Sequence, residues 1–116
     1  MIKMIFMLKK RKGMATDEFI QRYETGHKLL GEKHVPNAVN YVRRFLNPAS
    51  QLFWEGAQDF DVITELWFEN QNELDKAMAH LARPEVANEI AEDEEELFDR
   101  SATRIYVVSE EHQSQK

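Results

Sequence analysis

Apolar and polar residues alternate from Ile2 to Lys10, with Ile2, Met4, Phe6 and Leu8 on one face and Ile5 and Met7 between Lys3 and Lys9 on the other. A period of two marks a β-strand, and apolar groups on both sides predict a strand covered in part on both. The period changes after Gly13. Phe19, Tyr23, Gly26, His27 and Leu30 fall within an arc of roughly 100° when each residue advances ~100°, the stripe of an amphipathic helix packed on a core. Thr16 offers an N-cap oxygen, and Asp17 and Glu18 stand in the first turn, where the helix dipole favours negative charge. This helix is predicted to run to about Lys33, before the turn marked by Pro36 and Asn37. Gly26 on the inward stripe implies tight packing, a close approach to a sheet, or space left for a ligand.

Ala38 to Asn47 predicts a second strand, with Val39, Tyr41, Arg43 and Phe45 on one face and Val42 and Leu46 on the other. Pro48 to Phe60 is a long connection carrying Leu52, Phe53 and Trp54. Loops do not ordinarily expose three such groups, so this one is expected to fold over an edge, a pocket or a partner subunit. Asp61 to Glu69 is a third strand, apolar on both faces. Asn70 with Glu73 resembles a capping box ahead of Leu74, Ala77, Met78 and Leu81, a helix ending near Arg83. Pro84 opens another helix through Val86, Ile90, Leu97 and Phe98, whose acidic run from Glu92 to Glu96 reads mostly as a solvated face. Thr103 to Ser109 is the fourth strand. Residues 1–110 thus form one domain, and 111–116 a polar tail.

The order strand, helix, strand, strand, helix pair, strand predicts an α+β ferredoxin-like βαββαβ domain, a four-stranded antiparallel sheet with helices on one face. The bare face is read as presenting Tyr41, Arg43, Glu65 and Trp67. Leaving aromatic area in water is unfavourable at roughly 25 cal/mol per Å², which predicts a homodimer with two sheets face to face.

Composition narrows the function. The 116 residues carry a net charge of -6, which disfavours nucleic acid and anionic membranes as partners, since both need a positive field. Small neutral molecules remain open. The basic run Lys9 to Lys12 leading to Gly13 reads as a solvated turn. The chain has no cysteine, hence no disulfide, thiolate nucleophile or iron–sulfur ligand, as fits a cytoplasmic setting. The apolar stretch Met1 to Leu8 is too short to span a bilayer, and its basic residues follow it, the reverse of a signal peptide.

A histidine on an inward stripe is either a satisfied core residue or an acid–base group whose partners set its tautomer. His34 lies two turns beyond His27, ~10 Å away, too far for one metal ion to be held by both, and no third ligand stands out. Asp93 and Asp99 are either carboxylates that orient His27 or surface and cap charges. Tyr23, Tyr41 and Trp67 are either pocket walls or core.

Five stretches together resemble the EthD-domain family of the dimeric α/β barrel superfamily, over Ile2 to Ser109. They are the strand Ile2 to Lys10, the helix with Phe19, Tyr23 and His27, the Tyr41-Val42 pair after Pro36, Glu65-Leu66-Trp67-Phe68, and Asp93 through Asp99 leading to Arg100. Tyr23 matches the aromatic residue that the family carries four positions before its histidine; Asn37 replaces the glycine that usually follows its proline. The resemblance implies a place in the breakdown of ethers or aromatic compounds, or chemistry like that of relatives acting on aromatic polyketides. The activity so implied is cofactor-independent acid–base catalysis by a lyase, isomerase, cyclase or decarboxylase on an aromatic or hydrophobic carbonyl compound. His27 would move the proton, and Tyr41 or Arg43 would stabilise developing negative charge. Phe6, Tyr23, Trp54, Glu65, Trp67 and Phe98 would contact substrate. A cofactor-free, monooxygenase-like oxidoreductase and a non-catalytic accessory protein binding a hydrophobic ligand are the alternatives. No cofactor is required, although one histidine leaves haem ligation open.

Overall fold

The computed structural model of the protein describes residues 1–49, 56 and 58–115. Leu52, Phe53 and Trp54, with the covering role expected of them, lie outside the described residues. Strands β1 (Ile2–Leu8), β2 (Asn40–Phe45), β3 (Val62–Phe68) and β4 (Arg104–Val107) form one antiparallel sheet in the order β2-β3-β1-β4. Helices α1 (Thr16–Arg22) and α2 (Lys28–His34) are joined without a break by a π-turn over Tyr23–His27, and α3 (Gln71–Leu81) and α4 (Pro84–Leu97) precede a 3₁₀ turn over Arg100–Ala102. This is the α+β ferredoxin-like arrangement that the element order predicts.

Three local expectations need correction. Thr16 begins the helix instead of capping it; Ala15 holds the cap position with no side-chain hydrogen bond, while Thr16 Oγ1 accepts from Lys10 Nζ at 3.2 Å. Asn70 does cap α3, accepting from Glu73 N at 3.0 Å, but the Glu73 carboxylate does not complete a box: it accepts from Asn37 Nδ2 at 2.9 Å and Lys76 Nζ at 3.1 Å. The third concerns the sheet. In an antiparallel ladder directly paired residues share a face, and Tyr41 pairs with Leu66, Arg43 with Thr64 and Phe45 with Val62. Tyr41 and Arg43 therefore face the helices, not the bare side, whereas Glu65 and Trp67 remain on the bare side with Val42 and Arg44. Both alternating sets of β2 contain apolar residues, so the pattern alone does not fix its parity. The larger aromatic set turns to the core, where Tyr41 and Phe45 pack beside Tyr23, Phe19 and Val62.

The core lies between the sheet and the helices in two adjoining clusters, one around Leu8, Phe19, Tyr23, Val62, Leu97 and Phe98, the other around Met4, Leu66, Phe68, Leu74 and Ala77. On the bare face Trp67 Nε1 donates to Glu65 Oε1 and Arg44 Nε to Glu65 Oε2, both at 2.9 Å, and Lys3 Nζ stands 4.0 Å over the Trp67 ring. Donation from Arg44, then from Trp67, holds the Glu65 carboxyl below its ordinary range against the opposing cost of burial. No helix among the described residues is long and apolar enough to cross a membrane.

Candidate functional site

The π-turn decides what the long helix presents. Its wider hydrogen-bond ring takes in one extra residue, a lag of ~100° relative to an ideal α-helix, and such bulges are frequent at functional sites. Tyr23 and His27 stay on the inner side, but Gly26 is carried off it: a Cβ there would meet nothing within 4 Å. Close approach falls to Gly31 instead, where a Cβ would lie 2.8 Å from Tyr41 Cε2 and 2.9 Å from its hydroxyl oxygen. Only a residue without a side chain lets the helix and the Tyr41 ring pass at this distance.

Between this helix, α4 and the sheet lies a cavity of about 100 Å³, walled mainly by Phe6, Leu30, Val35, Leu66, Leu81 and Ile90. At roughly 10–15 Å³ for one water-sized unit, it has room for a compact single-ring molecule. Its polar lining consists of His27, Glu94, Thr64 and the hydroxyls of Tyr23 and Tyr41.

His27 Nδ1 lies 2.8 Å from Asp93 Oδ2 on α4. A carboxylate can only accept, so Nδ1 carries the proton and the neutral ring keeps its lone pair at Nε2. Tyr23 and Phe98 hold the imidazole edge-on from two sides, each with ring centroids 5.1 Å away. Asp93 is thus the orienting carboxylate of the two candidates. Asp99 instead accepts from Ser101 Oγ at 2.6 Å, and this bond holds its carboxyl below the ordinary range.

The hydroxyls of Tyr23 and Thr64 meet at 2.6 Å, and that of Tyr41 reaches Tyr23 at only 3.5 Å, beyond good hydrogen-bond range. The Tyr41 proton is accordingly available to a ligand atom. Burial pushes both phenols above their ordinary pKa, so both are neutral donors near pH 7. Arg43 is occupied elsewhere: Nη2 and Nε grip the two Glu24 oxygens at 2.6 and 2.9 Å, and Nη1 donates to the Tyr41 carbonyl at 3.0 Å. The bond with Arg43 lowers the Glu24 pKa and raises that of Arg43. Arg43 therefore holds Tyr41 from behind and is not among the residues lining the cavity.

Of the remaining expected contacts, Phe6 and Tyr23 line the cavity, Phe98 touches it through His27, Glu65 and Trp67 lie across the sheet from it, and Trp54 is outside the described residues. Glu94 was hidden in an acidic run. Its signal is positional, because Ile90, Glu94 and Leu97 fall at i, i+4 and i+7, the inward spacing, while Glu92, Glu95 and Glu96 are exposed. Burial raises the Glu94 pKa, outweighing the opposing charges of His27 and Arg100. Thr64 was likewise missed; a small hydroxyl between Val62 and Leu66 on the core face of β3 is its mark. His34 belongs to a separate cluster, with Nδ1 3.0 Å from His80 Nε2 and Nε2 2.8 Å from Glu89 Oε1. Among the described residues, no group of three or more His, Asp or Glu side chains is placed to hold a metal ion.

Solved structures with the same architecture include an ethyl tert-butyl ether D (EthD) family protein from Bacillus halodurans, 15% identical with a TM-score of 0.68, covering 96% of this chain and 99% of that one. A dimeric ferredoxin-like protein of unknown function from Thermobifida fusca is 12% identical, with a TM-score of 0.60 over 92% of this chain and 88% of that one. A NIPSNAP family protein from Agrobacterium tumefaciens is 12% identical, with a TM-score of 0.57 over 92% and 90%. At such identity the likeness establishes the fold. No curated protein sequence matches the chain. The model of the EthD domain, however, matches residues 11–101, most of the chain, and the protein therefore belongs to the EthD domain family.

Proposed function

We propose that the protein is a small-molecule enzyme that carries out cofactor-independent proton transfer, as a lyase, isomerase, cyclase or decarboxylase, on a compact aromatic or hydrophobic carbonyl compound. The observation that carries this reading is the His27–Asp93 pair opening onto an apolar cavity. Asp93 fixes the tautomer, Nε2 is the base, and the neutral Tyr41 hydroxyl is a donor for oxygen on which negative charge develops. Arg43 acts through Tyr41, since its guanidinium is committed to Glu24.

The test is exchange of the α-hydrogens of cyclohexanone in D₂O, followed by proton NMR. Exchange is expected above the buffer rate and to fall ~100-fold or more in His27→Ala, the range of a lost general base. Exchange by the native protein no faster than by an equal concentration of free imidazole would overturn the reading, and saturable binding without exchange would leave the ligand-binding alternative. We also propose a homodimer through the bare face of the sheet. Half-buried Ile5, Met7, Ile63 and Trp67 lie there, with Tyr106 56% exposed, and the T. fusca protein of the same fold is dimeric. Sedimentation giving a stable monomer at micromolar concentration would refute this.

A further inference from the structure

We infer that Glu94 is the acid partner of His27, that the two together enolise an uncharged ketone or aldehyde, and that the site does not accept carboxylates or phosphates. This rests on the proposed proton transfer by His27 and adds the second proton and the substrate's charge.

Glu94 lines the same cavity as His27. It follows Asp93 on α4, so one helix turn supplies both the carboxylate that orients the base and a second carboxyl directed at the ligand space. Two adjacent carboxyls have opposite surroundings. Asp93 receives the His27 N–H at 2.8 Å, whereas Arg100 Nε is 3.6 Å from Glu94 Oε1, an ion-pair distance too long for a good hydrogen bond, and Arg100 also donates to Glu95 at 3.1 Å. The charged and titratable groups acting on Glu94 are His27, which lines the same cavity, Asp93 on its own helix and Arg100 beyond the helix end. Desolvation against the apolar wall dominates them and favours the protonated carboxyl. An imidazole and a carboxyl that burial inclines to keep its proton, lining one cavity, are the pair that acid–base chemistry at a carbonyl needs.

The charge of the substrate follows from the lining, which among the described residues holds no lysine or arginine. The cation behind Tyr41 is spent on Glu24. An anionic ligand would meet Glu94 and two neutral phenols with no compensating charge, a costly burial.

The step balances without oxidant or cofactor. His27 Nε2 takes the α-proton, and the electron pair of the broken C–H bond forms the C=C bond while the carbonyl π pair moves to oxygen. The Glu94 O–H proton goes to that oxygen, leaving a neutral enol, an imidazolium and a carboxylate. Once the imidazolium proton has exchanged with solvent, return of a deuteron from His27 to carbon and of the enol proton to Glu94 completes exchange; return of the proton to a different carbon gives isomerisation.

The experiment is cyclohexanone α-hydrogen exchange in D₂O with native protein and Glu94→Gln, each followed from acid to alkaline pH, with Glu94→Asp as the conservative variant. Glu94→Gln is expected to lower exchange ~10- to 100-fold, to abolish the fall on the alkaline side that marks loss of the Glu94 proton, and to leave cyclohexanone binding intact by chemical-shift titration. Glu94→Asp should recover part of the rate and restore the alkaline fall. Benzoate should not bind. Native-like exchange and pH profile in Glu94→Gln overturn the assignment of Glu94 while His27 stands, and benzoate binding in the cavity overturns the neutral-substrate claim. Absence of exchange by the native protein removes both this assignment and the reading on which it rests.

Discussion

Two histidines on one helix reach the same opposite helix, and only one of them lines the cavity. His27 gives Nδ1 to Asp93 and lines the cavity; among the described residues no hydrogen bond reaches its Nε2. His34, 7% exposed, has both nitrogens engaged, one with His80 and the other with Glu89, to which Lys33 also donates at 3.1 Å. A histidine with two partners is a fastening between helices. One with a single carboxylate partner keeps a nitrogen free to exchange a proton, and the difference lies in saturation, not burial.

Exchanging alanine into each position separates the two roles. His27→Ala is expected to remove ~100-fold or more of the exchange rate and to lower the thermal unfolding midpoint less than His34→Ala, because only one of its ring nitrogens is hydrogen-bonded. His34→Ala should cost more stability, about 1 kcal/mol in chemical denaturation, as its buried ring and both of its bonds are lost, with exchange near the native rate. Equal loss of stability in both variants would erase the distinction.

The sequence makes much of this fold legible, for identifiable reasons. Strands β1 and β3 are short β-rich runs between turn signals although apolar on both faces, and α3 and α4 are bounded by Asn70 and Pro84, so element order leads to the ferredoxin-like arrangement. His27 and Asp93 could be nominated from spacing and resemblance. The parity of β2 could not be read, because Tyr41 and Phe45 on one side compete with Val42 and Leu46 on the other, and only the ladder with β3 decides. The π-turn is equally silent: Tyr23-Glu24-Thr25-Gly26-His27 carries no proline or other mark of an extra residue, yet the bulge moves the critical glycine from position 26 to position 31.

That displacement makes the two glycines the next comparison. Gly31→Ala places a methyl 2.8 Å from the Tyr41 ring, so the ring must yield, at a cost of about 1–3 kcal/mol as in other overpacked sites. The ring's route of escape is the cavity, so cyclohexanone affinity should fall more than stability. Gly26→Ala meets open space and should stabilise the protein by up to about 1 kcal/mol through helix propensity. A larger loss at Gly26 than at Gly31 would mean that the π-turn does not rotate the helix as described.

The smallest effects come from two carboxyls whose proton affinities are displaced in opposite directions. Glu24, bonded to Arg43, has a lowered folded pKa, so its contribution is present above its unfolded value, about 4.3, and disappears as pH falls through the folded one. Glu24→Gln should therefore lower the unfolding midpoint slightly at neutral pH and not at all in strong acid, the effect being muted because Glu24 is partly exposed to solvent. Glu94 has a raised folded pKa, mainly through burial. Below its unfolded value both states are protonated and it has no effect; as pH rises toward and past the folded value, the charge is tolerated better by the unfolded chain, and Glu94 destabilises the protein. Glu94→Gln should then raise the midpoint by a few degrees near neutral pH, with the gain vanishing in acid, even as it slows exchange. Stability gained where function is lost is the signature of a carboxyl kept in the cavity for its chemistry; a midpoint unchanged across the whole pH range would mark Glu94 as a solvated surface acid.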